Sequence, residues 1–144
     1  MERFVSHSEQ ETEAFAQRFA RRLDAGSTLA FRGGLGAGKT AFVRGLARGL
    51  GCSDAVSSPT FAIVQEYYGG RLPLFHFDWY RITDLNDLYS TGFFEYLDRG
   101  GVCAIEWSER VPSALPEDAV FITMTPSESP ETRLITIESG ARTD

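Results

Sequence analysis

The sequence predicts an α/β domain with a mixed, partly parallel central sheet flanked by helices. Three observations lead there. A short apolar run, Thr28–Arg32, is followed at once by Gly33-Gly34-Leu35-Gly36-Ala37-Gly38-Lys39-Thr40 and then by a helical pattern from Ala41 to Leu50, which is the strand, glycine loop and helix of a phosphate-cradling unit. Two further apolar runs end in an acid, Phe75-His76-Phe77-Asp78 and Val102-Cys103-Ala104-Ile105-Glu106. The chain closes on two alternating runs, Ala119–Met124 and Arg133–Ile137, which read as an antiparallel pair. Helices between strands near the loop and hairpins elsewhere make the sheet mixed.

Each element has its own local reason. Residues 2–6 form a short strand. Ser8 and Glu11 make a capping box, which opens a helix. Thr12, Phe15, Ala16, Phe19, Ala20 and Leu23 recur at helical spacing, so that helix is amphipathic and runs to about Leu23. Asp24-Ala25-Gly26 ends it. The helix after the glycine loop turns Phe42, Val43, Leu46 and Leu50 to one side, and Gly51 closes it. Cys52 to Ser58 is polar and irregular. Phe61–Tyr68 and Leu72–Phe77 are strands, with Gly69-Gly70 as a tight hairpin signal between them. A helical stretch from about Asp84 to Leu97 is broken by Gly92, and Arg99-Gly100-Gly101 is a turn. A short helix covers Ser108 to Val111, and Pro112 to Asp118 is loop. Thr125 to Thr132 is a polar, mobile link, and residues 139–144 fray.

Composition bounds the function. The chain has 144 residues, 42% hydrophobic and 24% charged, which suits one soluble globular domain over residues 1–144. No run reaches the roughly 18 apolar residues that cross a membrane, and residues 1–6 do not have the pattern of a secretory leader, so a cytoplasmic address is expected. The net charge of −6 disfavours unaided nucleic-acid binding, which rests on basic contacts to phosphate. Arg44 and Arg48, one turn apart, form the best local basic patch, with Arg18, Arg21 and Arg22 as its extension; a solvated helix face is the plainer reading. Cys52 and Cys103 are far apart and unclustered, so no metal, disulfide or redox role is assigned.

The loop carries the chemistry. Glycines let backbone N–H groups curl round an anion, and the helix N-terminus adds partial positive charge. Lys39 is the one lysine in the chain, arginine supplying the other 13 of 14 basic residues. It would neutralise the β- and γ-phosphates, and the Thr40 hydroxyl is placed to ligate Mg²⁺. Gly36 to Ala41 also fits a dinucleotide fingerprint, but the Lys-Thr pair points to a nucleoside triphosphate. Phosphoryl transfer further needs a carboxylate for Mg²⁺, directly or through water. Asp78 and Glu106 both qualify; one would hold the ion and the other a water, and the residues alone do not say which. Thr60, after a proline and before a strand, could reach the γ-phosphate as a switch-loop residue, or could simply start its strand. His76 alternates with Phe75 and Phe77 and reads as structural. Trp107 could pack near the nucleotide or belong to the core. No arginine lies at an obvious position to neutralise γ-phosphate charge.

These residues add up to a family pattern. The loop at 33–40, Ser58-Pro59-Thr60, His76-Phe77-Asp78-Trp79-Tyr80-Arg81 and Ile105-Glu106-Trp107 occur in order, and together they resemble the TsaE (YjeE) family over almost the whole chain. The resemblance implies a single P-loop NTPase-like domain. It further implies a small ATPase, weak alone, that serves threonylcarbamoyladenosine modification of tRNA. It would bind and hydrolyse ATP, with Mg²⁺, to reset a complex of TsaB and TsaD, and would meet tRNA only through that complex. By the same resemblance Gly34, Leu35, Gly36, Ala37, Gly38 and Lys39 bind phosphate, Thr40 and Glu106 hold Mg²⁺, and Asp78 and Thr60 act as catalytic and switch residues. Trp107 matches the Trp after the family's acid, while Glu9 and Thr132 match positions bordering the adenine. Two positions depart from the pattern: Gly34 stands where the family usually has an acid, and Trp79 where it usually has Leu. Neither changes the lysine or the Mg²⁺ positions. A small-molecule kinase is the alternative, but 84–100 is acidic with only Arg99 as a basic residue, a poor arginine-bearing lid. A nucleotide-gated binding module without useful hydrolysis is a third reading.

Overall fold

A computed structural model describes residues 1–33, 36–53, 56–57 and 63–139, with backbone alone at 36, 37, 56 and 57. Within these residues eight strands form one sheet. They are β1 (Glu2–Ser6), β2 (Thr28–Arg32), β3 (Val56–Ser57), β4 (Val64–Tyr67), β5 (Leu74–Asp78), β6 (Val102–Glu106), β7 (Val120–Pro126) and β8 (Arg133–Ser139). The order across the sheet is β1-β8-β7-β2-β6-β5-β4-β3. β2 runs parallel to β6 and β7, and β5 parallel to β6, while the outer pairs are antiparallel. The expected mixed sheet is therefore present, with its parallel strands in the middle. Parallel strands need both faces covered, and both are.

Helices α1 (Glu9–Phe19) and α2 (Gly36–Leu50) cover one face. Phe15, Phe19, Phe42 and Leu46 pack there with Leu29, Phe31, Ile122 and Met124. Helices α3 (Leu85–Tyr89) and α4 (Phe93–Leu97) cover the other, where Leu88, Phe93 and Tyr96 join Phe75, Phe77, Cys103 and Ile105. Trp79 lies in this second core with no exposed surface, edge-on to Phe93 at 5.0 Å. Gly92, at φ 82°, separates α3 from α4, as its break in the helical pattern predicts. No helix among the described residues is long and apolar enough to cross a membrane.

Several expectations are refined. Ser8 caps α1 by accepting from Glu11 N–H, but the Glu11 carboxylate accepts from His7 N–H, one residue before the cap. α2 begins at Gly36, inside the glycine motif. Gly69-Gly70 does not make a tight hairpin: residues 68–73 form a longer loop between Tyr67 and its partner Leu74. That loop docks on the end of α2, where Arg71 N–H donates to Leu50 C=O and Ser53 N–H to Tyr68 C=O. Two-residue β3 pairs with β4 within the stretch expected to be irregular, and a 3₁₀ turn at Pro112–Ala114 occupies part of the expected loop. β8 continues to Ser139, where fraying was expected to begin, because Ser139 pairs with Val120. Residues 140–144 of that tail lie outside the described residues. Arg44 and Arg48 do not form a free basic patch: both pair with Glu13 of α1, and Arg22 pairs with Glu2.

Candidate functional site

The site lies at the carboxyl ends of the parallel strands, where open α/β sheets bind ligands. β2 delivers the chain to Gly33. This residue sits at φ 102°, and a Cβ there would fall 2.4 Å from the Met124 carbonyl oxygen, so only glycine lets the loop pass the end of β7. Gly34 and Leu35 lie outside the described residues. Gly36 and Ala37 start α2, so the motif's later residues form the helix's first turn. Fifteen residues of helix thus point their free N–H groups and positive dipole end at this spot. Lys39 is only 4% exposed. Its ammonium nitrogen lies 5.6 Å from the centre of the Trp107 ring, and among the described residues no carboxylate pairs with it.

Strand alternation places the acids. On β5 and β6, Leu74, Val102 and Ala104 face the α1–α2 core, and Phe75, Phe77, Cys103 and Ile105 face the other. By the two-residue period His76, Asp78 and Glu106 fall on the α2 side. Asp78 and Glu106 are direct partners in the parallel register, so the two carboxylates stand side by side. Asp78 is exposed, and its Oδ1 accepts the Tyr80 N–H at 2.9 Å. Glu106 is half-buried, and its Oε2 lies 2.6 Å from His76 Nε2. A carboxylate only accepts, so Nε2 carries the proton in this bond. His76 is thereby a site residue, holding one oxygen of Glu106 while Oε1 has no hydrogen-bond partner among the described residues. Its position between two phenylalanines conceals this, because its partner is 30 residues away.

Directly after Glu106 the chain turns at Trp107, which has φ 61° and ψ 35°. It is the one non-glycine residue with positive φ among those described, an unusual conformation for a bulky side chain. The turn lays the indole beside Lys39 and edge-on to Tyr80 at 4.9 Å.

A cavity of about 380 Å³ adjoins Gly38 and is lined by Ser8, Glu9, Thr12, Pro130, Glu131 and Arg133 among others. Glu9 and the β7–β8 turn therefore meet beside the loop, on the side away from Asp78 and Glu106. Thr132 itself is buried, its hydroxyl 2.7 Å from that of Ser129, and its neighbours on either side reach the cavity. Thr60, with Ser58 and Pro59, lies outside the described residues. The oxygen donors of Thr40, Asp78 and Glu106 suit a hard cation such as Mg²⁺, which keeps waters and phosphate oxygens and needs few protein ligands. The described residues hold no group of three or more His, Cys, Asp or Glu that would make an all-protein metal cage.

The chain is similar to known proteins in sequence and in fold. The sequence model of the family described as threonylcarbamoyl adenosine biosynthesis protein TsaE matches residues 6–135. A protein of Treponema pallidum described as tRNA threonylcarbamoyladenosine biosynthesis protein TsaE is 46% identical over 122 residues, covering 85% of this chain and 90% of that one. The Bacillus subtilis protein of the same description is 42% identical over 113 residues, 78% of this chain and 70% of that one. The crystal structure of Bacillus subtilis YdiB superposes with a TM-score of 0.78 at 33% identity, covering 98% of this chain and 86% of that one.

Proposed function

The chain belongs to the TsaE family of threonylcarbamoyl adenosine biosynthesis proteins, and we propose from this that it is a Mg²⁺-dependent ATPase serving threonylcarbamoyladenosine modification of tRNA in the cytoplasm. Its partners in this reading are TsaB and TsaD. Binding and hydrolysis of ATP would reset their complex between turnovers, and tRNA would be met through that complex.

The observation that carries the reading is the buried Lys39 ammonium. It stands at the N-terminal end of α2, without a carboxylate partner among the described residues, opposite two adjacent strand-end acids. A cation so placed is made for an anion, and the helix amides beside it favour a phosphate. Thr40 and Glu106 Oε1 would hold Mg²⁺, which would supply positive charge to offset that of the phosphates. His76 aims Glu106 by donating to its Oε2. Asp78, with Oδ1 committed to Tyr80, keeps Oδ2 to accept a proton-bearing water and orient it toward the γ-phosphorus. Glu9 and the β7–β8 turn would flank the base.

The kinase alternative is weaker on this geometry. Its lid would have to come from 84–100, but Leu88, Phe93 and Tyr96 are locked in the second core, and Arg99 pairs with Glu66 and stacks on Tyr96. The test is ATP affinity and turnover with and without a TsaB–TsaD pair. Slow hydrolysis alone that rises with partner concentration supports the proposal; a flat response over a wide range counts against it. Glu106→Ala then separates hydrolysis from mere gating: modification that persists in a reconstituted system with this variant would show that catalysis is dispensable.

A further inference from the structure

The folded chain brings an arginine to the site that spacing along the sequence does not reveal. Arg110 ends the 3₁₀ turn Ser108–Arg110 that follows β6. Its guanidinium carbon lies 5.3 Å from the centre of the Trp107 ring and 5.4 Å from that of Tyr80. Lys39 Nζ lies 5.6 Å from the same Trp107 ring. One indole therefore carries two cations: the loop lysine and Arg110. The two rings under Arg110 belong to the residue after Glu106 and to the residue whose N–H binds Asp78.

The place of Arg110, and not a missing partner, separates it from an ordinary surface arginine. Among the described residues no carboxylate lies within ion-pair distance of it, as is also true of Arg3, Arg18, Arg21, Arg32, Arg71, Arg81 and Arg133; among these it is Arg110 that lies over the Tyr80 and Trp107 rings. The left-handed backbone of Trp107 is what swings the turn round, and Arg110 N–H closes that turn on the Trp107 carbonyl at 3.0 Å. Strain at a bulky residue persists where the surroundings demand it, most often at a working site. Arg110 is exposed, as is Tyr80 at 53%. A cation stacked on a ring at such a place is held weakly, and a bidentate charge-assisted bond to phosphate is stronger.

We propose that Arg110 is a cis-acting arginine of the hydrolysis, stacked on Tyr80 and Trp107 in the free chain and transferred to the γ-phosphate oxygens as the transition state forms. The proposal rests on the ATPase reading. In that step a water oxygen forms a bond to the γ-phosphorus and the bond from that phosphorus to the β–γ bridging oxygen breaks. The electron pair leaves with ADP, and the water proton is released with inorganic phosphate. Arg110 changes no bond; it offsets the charge that gathers on the γ oxygens. Its need to leave the stack would also make turnover slow in the isolated chain.

The test compares the full-length wild type with Arg110→Ala, Arg110→Met and Arg110→Lys. For each, the affinity for Mg-ADP, the affinity for Mg-ADP with aluminium fluoride, and single-turnover hydrolysis are measured. Arg110→Ala should keep Mg-ADP affinity within about threefold, because ground-state binding does not use the residue. Hydrolysis and affinity for the aluminium fluoride complex should fall roughly 10³-fold, the scale of a lost arginine finger. Arg110→Lys should recover little, since the planar fork is gone. Arg110→Met, which keeps an apolar stem on the rings, carries the same expectations if the alanine variant does not fold. Wild-type hydrolysis and aluminium fluoride affinity in these variants would overturn the proposal and leave the ATPase reading standing, as would an equal loss of Mg-ADP binding. A wild-type protein that binds no Mg-ADP would overturn both.

Discussion

Lys39 and Trp79 can each be tested by a single substitution. If Lys39 binds phosphate as proposed, Lys39→Ala removes a charge-assisted bond worth about 1.5–3 kcal/mol, so ATP affinity by calorimetry should fall roughly 10- to 100-fold while the fold stays intact. Trp79 fills the second core where the resemblance leads one to expect Leu. Its indole N–H is buried without a hydrogen-bond partner among the described residues, which is a cost that the ring's packing outweighs. Trp79→Phe should therefore change unfolding free energy little, lost volume being offset by removal of the orphan donor, whereas Trp79→Ala should cost about 3–5 kcal/mol in urea titrations. Cys103 lies in the same core, and burial pushes its thiol up to about 12 from an ordinary value near 9.0. The unfolded chain gives up that proton first, so stability is full below about pH 9 and falls as pH rises towards 12. Burial raises Cys52 and Tyr67 in the same direction. Cys103→Val should flatten the decline measured by urea unfolding between pH 8 and 10.5.

Helices α1 and α2 touch through a seam of small residues. A Cβ on Gly45 would fall 2.3 Å from Glu13 O and 2.7 Å from the Ala16 Cβ; one on Gly49 would fall 2.4 Å from Gln17 O and 2.6 Å from the Ala20 Cβ. The backbones are that close because neither glycine has a side chain, and Glu13 then reaches across to both arginines on α2. In an isolated helix Gly→Ala is favourable by about 1 kcal/mol. Here Gly45→Ala should instead lower stability by roughly 1–3 kcal/mol, the scale of overpacking, seen as a lower urea midpoint. The effect would extend to binding, since α2 carries Lys39 and Thr40 on its first turn. The β4–β5 loop works in a similar way at the other end of α2, trading a tight turn for hydrogen bonds that anchor the helix C-terminus.

Across the whole molecule, the sheet order puts β2 and β6 in the middle, with β5 and β7 beside them. The glycine loop, Glu106 and Asp78 all emerge from that parallel centre, and the β7 end limits what Gly33 can be. The antiparallel strands widen the sheet, β4 lying along β5 with the Ile63 carbonyl accepting the Asp78 N–H at 2.9 Å, and the β7–β8 turn bends over to meet α1. A nucleotide bound as proposed would touch two helix N-termini and several strand ends together, so its binding should stabilise the molecule globally. At a Mg-ADP concentration about 100 times Kd the gain should be about 2.7 kcal/mol, read as a rise in melting temperature. The same addition should give Lys39→Ala a smaller gain, about 0.4–1.4 kcal/mol for a Kd weakened 10- to 100-fold.

The local signals were legible and held: the loop motif between a strand and a helix, the Ser8 cap, the helix-breaking Gly92, and two apolar strands ending in acids. These depend on residues a few positions apart, where backbone sterics and side-chain period act directly. That was enough to read the mixed α/β class and to put Lys39, Asp78 and Glu106 at one edge of the sheet. The tertiary structure alone decided strand order, the pairing of β1 with β8, the bond between His76 and Glu106, the seam at Gly45, and the stacking of Arg110 beside the site. Each of these joins segments distant in the chain or depends on an uncommon backbone turn such as that at Trp107. Their partners are set by register and packing of the assembled sheet, and no local pattern encodes them.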